Sequence, residues 1–194
     1  MMAVQRGVRV TSRDLEILAR VQAARACDSV ALVDLFPSAH ALWQRLWLLR
    51  RARMLTVHRL GSQRAYSLGR QGVATLGLPT GEVRISYPAV ARCLLYARAR
   101  RKLEAEGYML NGQDQVGRAT VLWVWRDGCR VAVAVSDPDA SRDRMLALAR
   151  RLCAFVNPFG PSADQVVIFG PAGAFRRLPK LPPAWNGRVV FRSL

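Results

Sequence analysis

At 194 residues, 51 % of them hydrophobic, the chain is long enough for one medium domain or two small ones and too apolar for a disordered basic tail. Thirty Lys and Arg against 13 Asp and Glu leave a formal net charge of +17, which on a globular chain points to a polyanion, most simply nucleic acid. No apolar run reaches the roughly 18–20 residues of a membrane span, the start MMAVQRGVRV has no apolar secretion signal, and Cys27, Cys93, Cys129 and Cys153 form no CxxC pair, so a cytoplasmic protein without disulfides or zinc is expected.

Thr11 or Ser12 can cap a first helix, with Asp14 and Glu16 in its opening turn and an apolar stripe of Leu15, Ile17, Leu18 and Val21, reaching about Ala26. Asp28 or Ser29 caps a shorter helix through Val30, Val33 and Leu35, stopped by Pro37. Ser38 caps a third, with Leu42, Leu46 and Leu49 at i, i+4, i+7. The alternating runs Leu55–Leu60 and Ala65–Leu68, joined across Gly61-Ser62-Gln63-Arg64, predict a β-hairpin. Three short helices and a basic hairpin are the layout of a winged helix-turn-helix over residues 1–78. Its third helix would lie in the major groove.

Only Lys102 and Lys180 are lysines; the other 28 cations are arginines, which fork onto phosphates and guanine edges. Between Asp34 and Glu82 there is no acidic residue, yet Arg45, Arg50, Arg51, Arg53, Arg59, Arg64 and Arg70 all fall inside. A one-sign window of this length is not an ordinary solvated face. The expected DNA surface takes Ser38, His40 and Gln44 from the third helix, and Arg45, Arg50, Arg51 and Arg53 along or just past it. The wing adds His58, Arg59, Gln63 and Arg64, with Arg70 just beyond. Trp43 and Trp47 also face away from the leucines, but fit core or dimer contacts better than base reading. Winged helices serve in protein contacts too; the acid-free window favours DNA.

Residues 79–87 read as a linker to a second domain, 88–194. Pro88 opens a long helix through Val90, Leu94, Leu95 and Leu103, closing at Gly107; its Arg98, Arg101 and Lys102 form a second basic cluster assigned to DNA. A short strand at Tyr108–Leu110 and a polar loop to about Arg118 follow. Thr120–Trp125 and Arg130–Val135, joined through Asp127-Gly128, are strands apolar on both faces and so central in a sheet. A helix over Ser141–Phe155, then strands Gln165–Phe169 and Arg188–Phe191 around a Pro-rich loop, complete the chain. The class is therefore α+β, and the second half has the element order of a restriction-endonuclease-like, PD-(D/E)XK core. The catalytic version of that core holds a divalent metal on acids of its second and third strands, the third also carrying a lysine. Here the third strand reads Val131-Ala-Val-Ala-Val135, no lysine is near, and Asp137, Asp139 and Asp143 are better explained as a turn and helix cap. No P-loop, histidine cluster or Ser/His/Asp spacing stands out. A binder is expected: not an enzyme, with no catalytic residues, no metal and no cofactor.

The segments VTSRDLEILARV, QRLWLLRRARML and AYSLGRQGVATLG, within residues 8–78, resemble the N-terminal part of the replication-relaxation family. These are winged-helix proteins of plasmids and integrative elements, linked to plasmid replication and DNA mobilisation. The resemblance implies a double-stranded DNA-binding accessory protein that recognises an origin of transfer or replication and assists a relaxase or initiator. A winged-helix transcriptional regulator and a metal-dependent nuclease are the alternatives. A homodimer built on Trp43 or Trp47 is left open, and no membrane is implied.

Overall fold

Helix α1 (Ser12–Ala24) begins at a reciprocal cap: the Asp14 N–H donates to Thr11 Oγ1 at 3.3 Å and the Thr11 N–H donates to Asp14 Oδ2 at 2.6 Å. Two-residue strands β1 (Val4–Gln5) and β2 (Val8–Arg9) pair ahead of it. The computed structural model describes residues 4–5, 8–79, 85–116, 119–136, 142–153, 163–170, 183 and 187–194. They are mixed α and β, in two compact units, Met1–Leu94 and Leu95–Leu194. The Asp137–Ser141 turn, Asn157-Pro158, the Pro-rich loop with Lys180, and part of the linker lie outside the described residues.

In the first unit the buried face of α1 runs Asp14, Ile17, Leu18, Val21, at i, i+3, i+4, i+7. Leu15, expected in that stripe, sits one step round and is exposed. The expected second helix is a 3-10 turn, Ser29–Leu35. At three residues per turn Val30 and Val33 share one row and face solvent, while Leu32 is buried. Helix α2 (Ala39–Arg51) buries Leu42, Leu46 and Leu49 as its spacing predicts. Each such side chain is worth about 1.5–3 kcal/mol of removed apolar surface. Strands β3 (Leu55–Leu60) and β4 (Gln63–Leu68) form the hairpin.

Alternation divides the hairpin into two faces. Leu55 and Tyr66 join the core with α1 and α2, while Ala65 and Leu60 pack with Ala26, Val90 and Leu94. The short helix α3 (Arg70–Thr75) closes against the end of α2 so tightly that only glycine fits. A Cβ on Gly72 would stand 2.2 Å from the Met54 carbonyl oxygen, and one on Gly69 2.4 Å from that of Arg53.

The division between units falls within α4 (Tyr87–Ala105). In the second unit a five-stranded sheet runs β5 (Met109–Val116), β6 (Ala119–Arg126), β7 (Cys129–Val135), β8 (Gln165–Gly170), β9 (Val189–Ser193), antiparallel from β5 to β7 and parallel from β7 to β9. Asp127 and Gly128 both have positive φ, 50° and 78°, as the tight hairpin between β6 and β7 requires. Both faces of the central strands are covered. Val121, Ala132 and Ile168 pack with Ala149 and Leu152 of α5 (Arg142–Cys153); Leu122, Val133 and Phe169 pack with Ala99 and Leu103 of α4. The expected loop after Leu110 is instead strand, paired in register from Gly112 to Val116 after a bulge. It is an edge strand, hydrogen-bonded to β6 alone, so polar residues such as Gln113 and Asp114 are tolerated there. Among the described residues no helix is long and apolar enough to cross a membrane.

Candidate nucleic-acid interface

Opposite its leucines, α2 presents one continuous arc. At about 3.6 residues per turn, His40, Trp43, Gln44, Trp47, Arg50 and Arg51 share it, and all six are exposed. The arc is organised at both ends. Ser38 Oγ accepts the Ala41 N–H at 3.2 Å, so this side chain caps the helix. His40 Nε2 and the Gln44 amide share a hydrogen bond of 2.8 Å.

At the other end the Arg53 N–H donates to the Arg50 carbonyl and the Met54 N–H to the Leu49 carbonyl, each at 2.9 Å, while Arg53 takes φ +58°. This is the left-handed helix stop normally given to glycine, and a residue with a Cβ costs roughly 1–2 kcal/mol there. An exposed arginine occupies it. Strain kept at a surface cation suits a functional position better than a structural one.

The hairpin supplies the facing wall. Arg59 and Arg64 are direct cross-strand partners, on the same face as the pair Val57 and Tyr66. Like charges placed opposite one another destabilise a ladder. Between this wall and α2 lies a cleft of about 310 Å³, lined by Trp43, Trp47, Arg50, Arg59, Arg64 and Tyr66 among others. The Arg64 guanidinium lies 5.4 Å from the Trp43 ring centre, and that of Arg51 lies 4.7 Å from the Trp47 ring.

Not every expected cation belongs to this surface. Arg45 is turned inward: its Nε donates to Asp14 Oδ1 at 2.6 Å, one Nη2 bond goes to Asp14 Oδ2, and another reaches the Arg9 carbonyl at 2.8 Å. Asp14 is fully buried. Burial pushes its carboxyl up, but the bonds from Arg45 and Thr11 more than reverse this and hold it below the ordinary value. Arg45 is thus a structural cation, not a free one. His58 and Gln63 sit on the hairpin face opposite Arg59 and Arg64. His58 also shares a 2.8 Å hydrogen bond with the buried Ser67, and its burial lowers its pKa, so it is neutral near pH 7.

Among the described residues, the carboxylates of the first unit are accounted for. Glu16 and Asp34 pair with Arg20 at 2.9 and 2.7 Å, Asp14 holds Arg45, and Asp28 accepts the Ala31 N–H at 3.2 Å. Arg50, Arg51, Arg53, Arg59, Arg64 and Arg70 are all exposed, and none has a carboxylate partner among the described residues.

The second cluster differs. In α4 Arg98 and Arg101 are half-buried, and the Lys102 ammonium donates to the Ser193 carbonyl at 3.1 Å. Lys102 is committed within the second unit and is not a free phosphate contact. On β7 the side chains from Val131 to Val135 are all buried and apolar. Among the described residues no group of His, Cys, Asp and Glu is placed to hold a metal; Asp137 and Asp139 lie outside them. No family model matches the chain, and no curated protein resembles it closely enough to count as a relative.

The inward turn of Arg45 had no sequence signal, because its partner lies 31 residues away. The separation of His58 and Gln63 from Arg59 and Arg64 did have one: the two-residue period of a strand. Tyr66, which lines the cleft, stands opposite Val57 because the turn is only Gly61-Ser62 and β4 begins at Gln63; the expected four-residue loop Gly61–Arg64 would have set it against Arg59.

Proposed function

We propose that the first unit binds double-stranded DNA as a winged helix-turn-helix, with α2 as its reading helix and the β3–β4 hairpin as its wing. The observation that carries this reading is the set of six exposed arginines without carboxylate partners among the described residues, spread over α2, the turn after it, the hairpin and the start of α3. A structural role would pair such charges. Here they repel one another, and a bound polyanion relieves that repulsion. A row of phosphates is the anion that meets them all. Gln44 and His40, on the exposed arc of α2, are the base-reading candidates.

The setting follows from the resemblance of residues 8–78 to the replication-relaxation family. In this reading the protein marks an origin of transfer or replication on a mobile element for a relaxase or an initiator. The second unit, with the element order of a PD-(D/E)XK core but an apolar third strand, serves as a non-catalytic scaffold.

Selecting bound fragments from a library of plasmid and integrative-element DNA tests the assignment. Enrichment of a transfer or replication origin is the expected result. Enrichment of the protein's own promoter would reassign it to transcription, and no enrichment at all would remove sequence-specific binding.

A further inference from the structure

We propose that the cleft between α2 and the hairpin takes an unpaired nucleotide, so that the preferred target is duplex DNA with a single-stranded stretch beside it. This rests on the DNA-binding reading above and narrows its substrate. Neutralising duplex phosphates requires exposed cations and has no use for aromatic rings, yet two indoles stand in the middle of the basic surface. Trp43 and Trp47 are 41 % and 51 % exposed, although tryptophan ordinarily hides its ring. They are one helical turn apart on the arc, and each already carries a guanidinium, that of Arg64 or Arg51, against its ring.

An unstacked base is the ligand that uses both features at once. Its face lies on an indole and its phosphate reaches the neighbouring cations; this pairing of rings with a positive groove is how single strands are held. Arg50 and Arg59 line the same cleft. The volume of about 310 Å³ is at the small end of ligand pockets and enough for a base with its sugar. A base inside a helix cannot enter, because it is stacked and paired. A second copy of this chain fits the rings less well. A two-fold contact through them would press the same unpaired arginines against their own symmetry mates.

The test compares a blunt duplex with the same duplex carrying a thymidine tail at either end, using the full-length protein and fluorescence anisotropy. The tailed duplex is expected to bind roughly tenfold more tightly and to quench tryptophan emission, since stacking is worth about 5- to 150-fold per base. Trp43→Ala with Trp47→Ala should erase that advantage and the quenching, so that tailed and blunt duplexes bind the variant equally; the paired Phe substitutions should keep the advantage. Equal affinity of wild type for blunt and tailed duplexes overturns the inference but leaves duplex binding intact, and needs no variant to fold. Binding to neither duplex overturns the DNA reading itself. A wild-type dimer that the alanine variant turns into monomers assigns the rings to a second copy, and overturns the inference as well.

Discussion

Replacing Arg50 and Arg51 together with alanine is expected to weaken binding to every duplex by roughly 30-fold near physiological salt. Each phosphate contact contributes about 0.9 to the slope of log K against log salt, so losing two makes the slope shallower by about 1.8, which amounts to that factor when extrapolated from 1 M salt. Both side chains are exposed in the last turn of α2, and neither has a carboxylate partner among the described residues. Their second effect is on the helix itself, where cations near the C-terminus favour the dipole by about 0.3–1 kcal/mol each. A melting curve measures that loss separately, because it does not depend on DNA. Gln44→Ala should behave differently, eroding the preference between sites while the salt slope stays the same. A double arginine variant with wild-type slope in a gel-shift titration would place the DNA surface elsewhere.

Asp14→Asn is expected to have the largest effect on stability, lowering it by about 3 kcal/mol, or roughly 15 °C in the first unfolding transition. The carboxylate is fully buried and accepts from the Arg45 guanidinium at both oxygens, as well as from the Thr11 N–H and hydroxyl. Removing its charge leaves Arg45 half-buried without a counter-ion, and the amide NH2 of Asn replaces one of the two oxygens that accept from Arg45 and Thr11. The acid limb should change as well. Because the folded pKa of Asp14 is lowered from 3.8, its contribution is fully present above that value and is lost as pH falls through the folded one. Wild type should therefore lose stability on acidification below about pH 4 more steeply than the variant. Thermal melts between neutral pH and pH 3 check both statements. Equal melting points would mean that the ion pair contributes nothing, and parallel acid limbs that the lowered pKa is not the cause.

Arg45 shows where sequence reading stops. Its place in the acid-free window made it indistinguishable from Arg50 or Arg51, since sequence spacing carries the leucine period of α2 but not the approach of α1 from 31 residues away. Elements with strong local chemistry were legible: the Thr11 cap, the Leu42, Leu46, Leu49 stripe, and the Asp127-Gly128 turn. Elements whose form depends on neighbours were not. Strand β5 reads as a polar loop because an edge strand needs no continuous apolar face. The Ser29–Leu35 segment reads as a helix with Val30 and Val33 inside because an α period was assumed where the turn is 3-10. At the candidate interface the charge was legible, and so was the placement of Trp43 and Trp47 away from the leucines, but not that the rings stay exposed rather than joining a core. What stands across the cleft from them, Arg59, Arg64 and Tyr66 of the hairpin, is a matter of tertiary packing that no pattern within α2 specifies.

The most direct measurement is the affinity of the wild-type protein for a generic duplex as salt is varied. With about five of the six arginines on phosphates, log K should fall linearly against log salt with a slope near −4.5. A slope close to zero, or no binding at low salt, would contradict it.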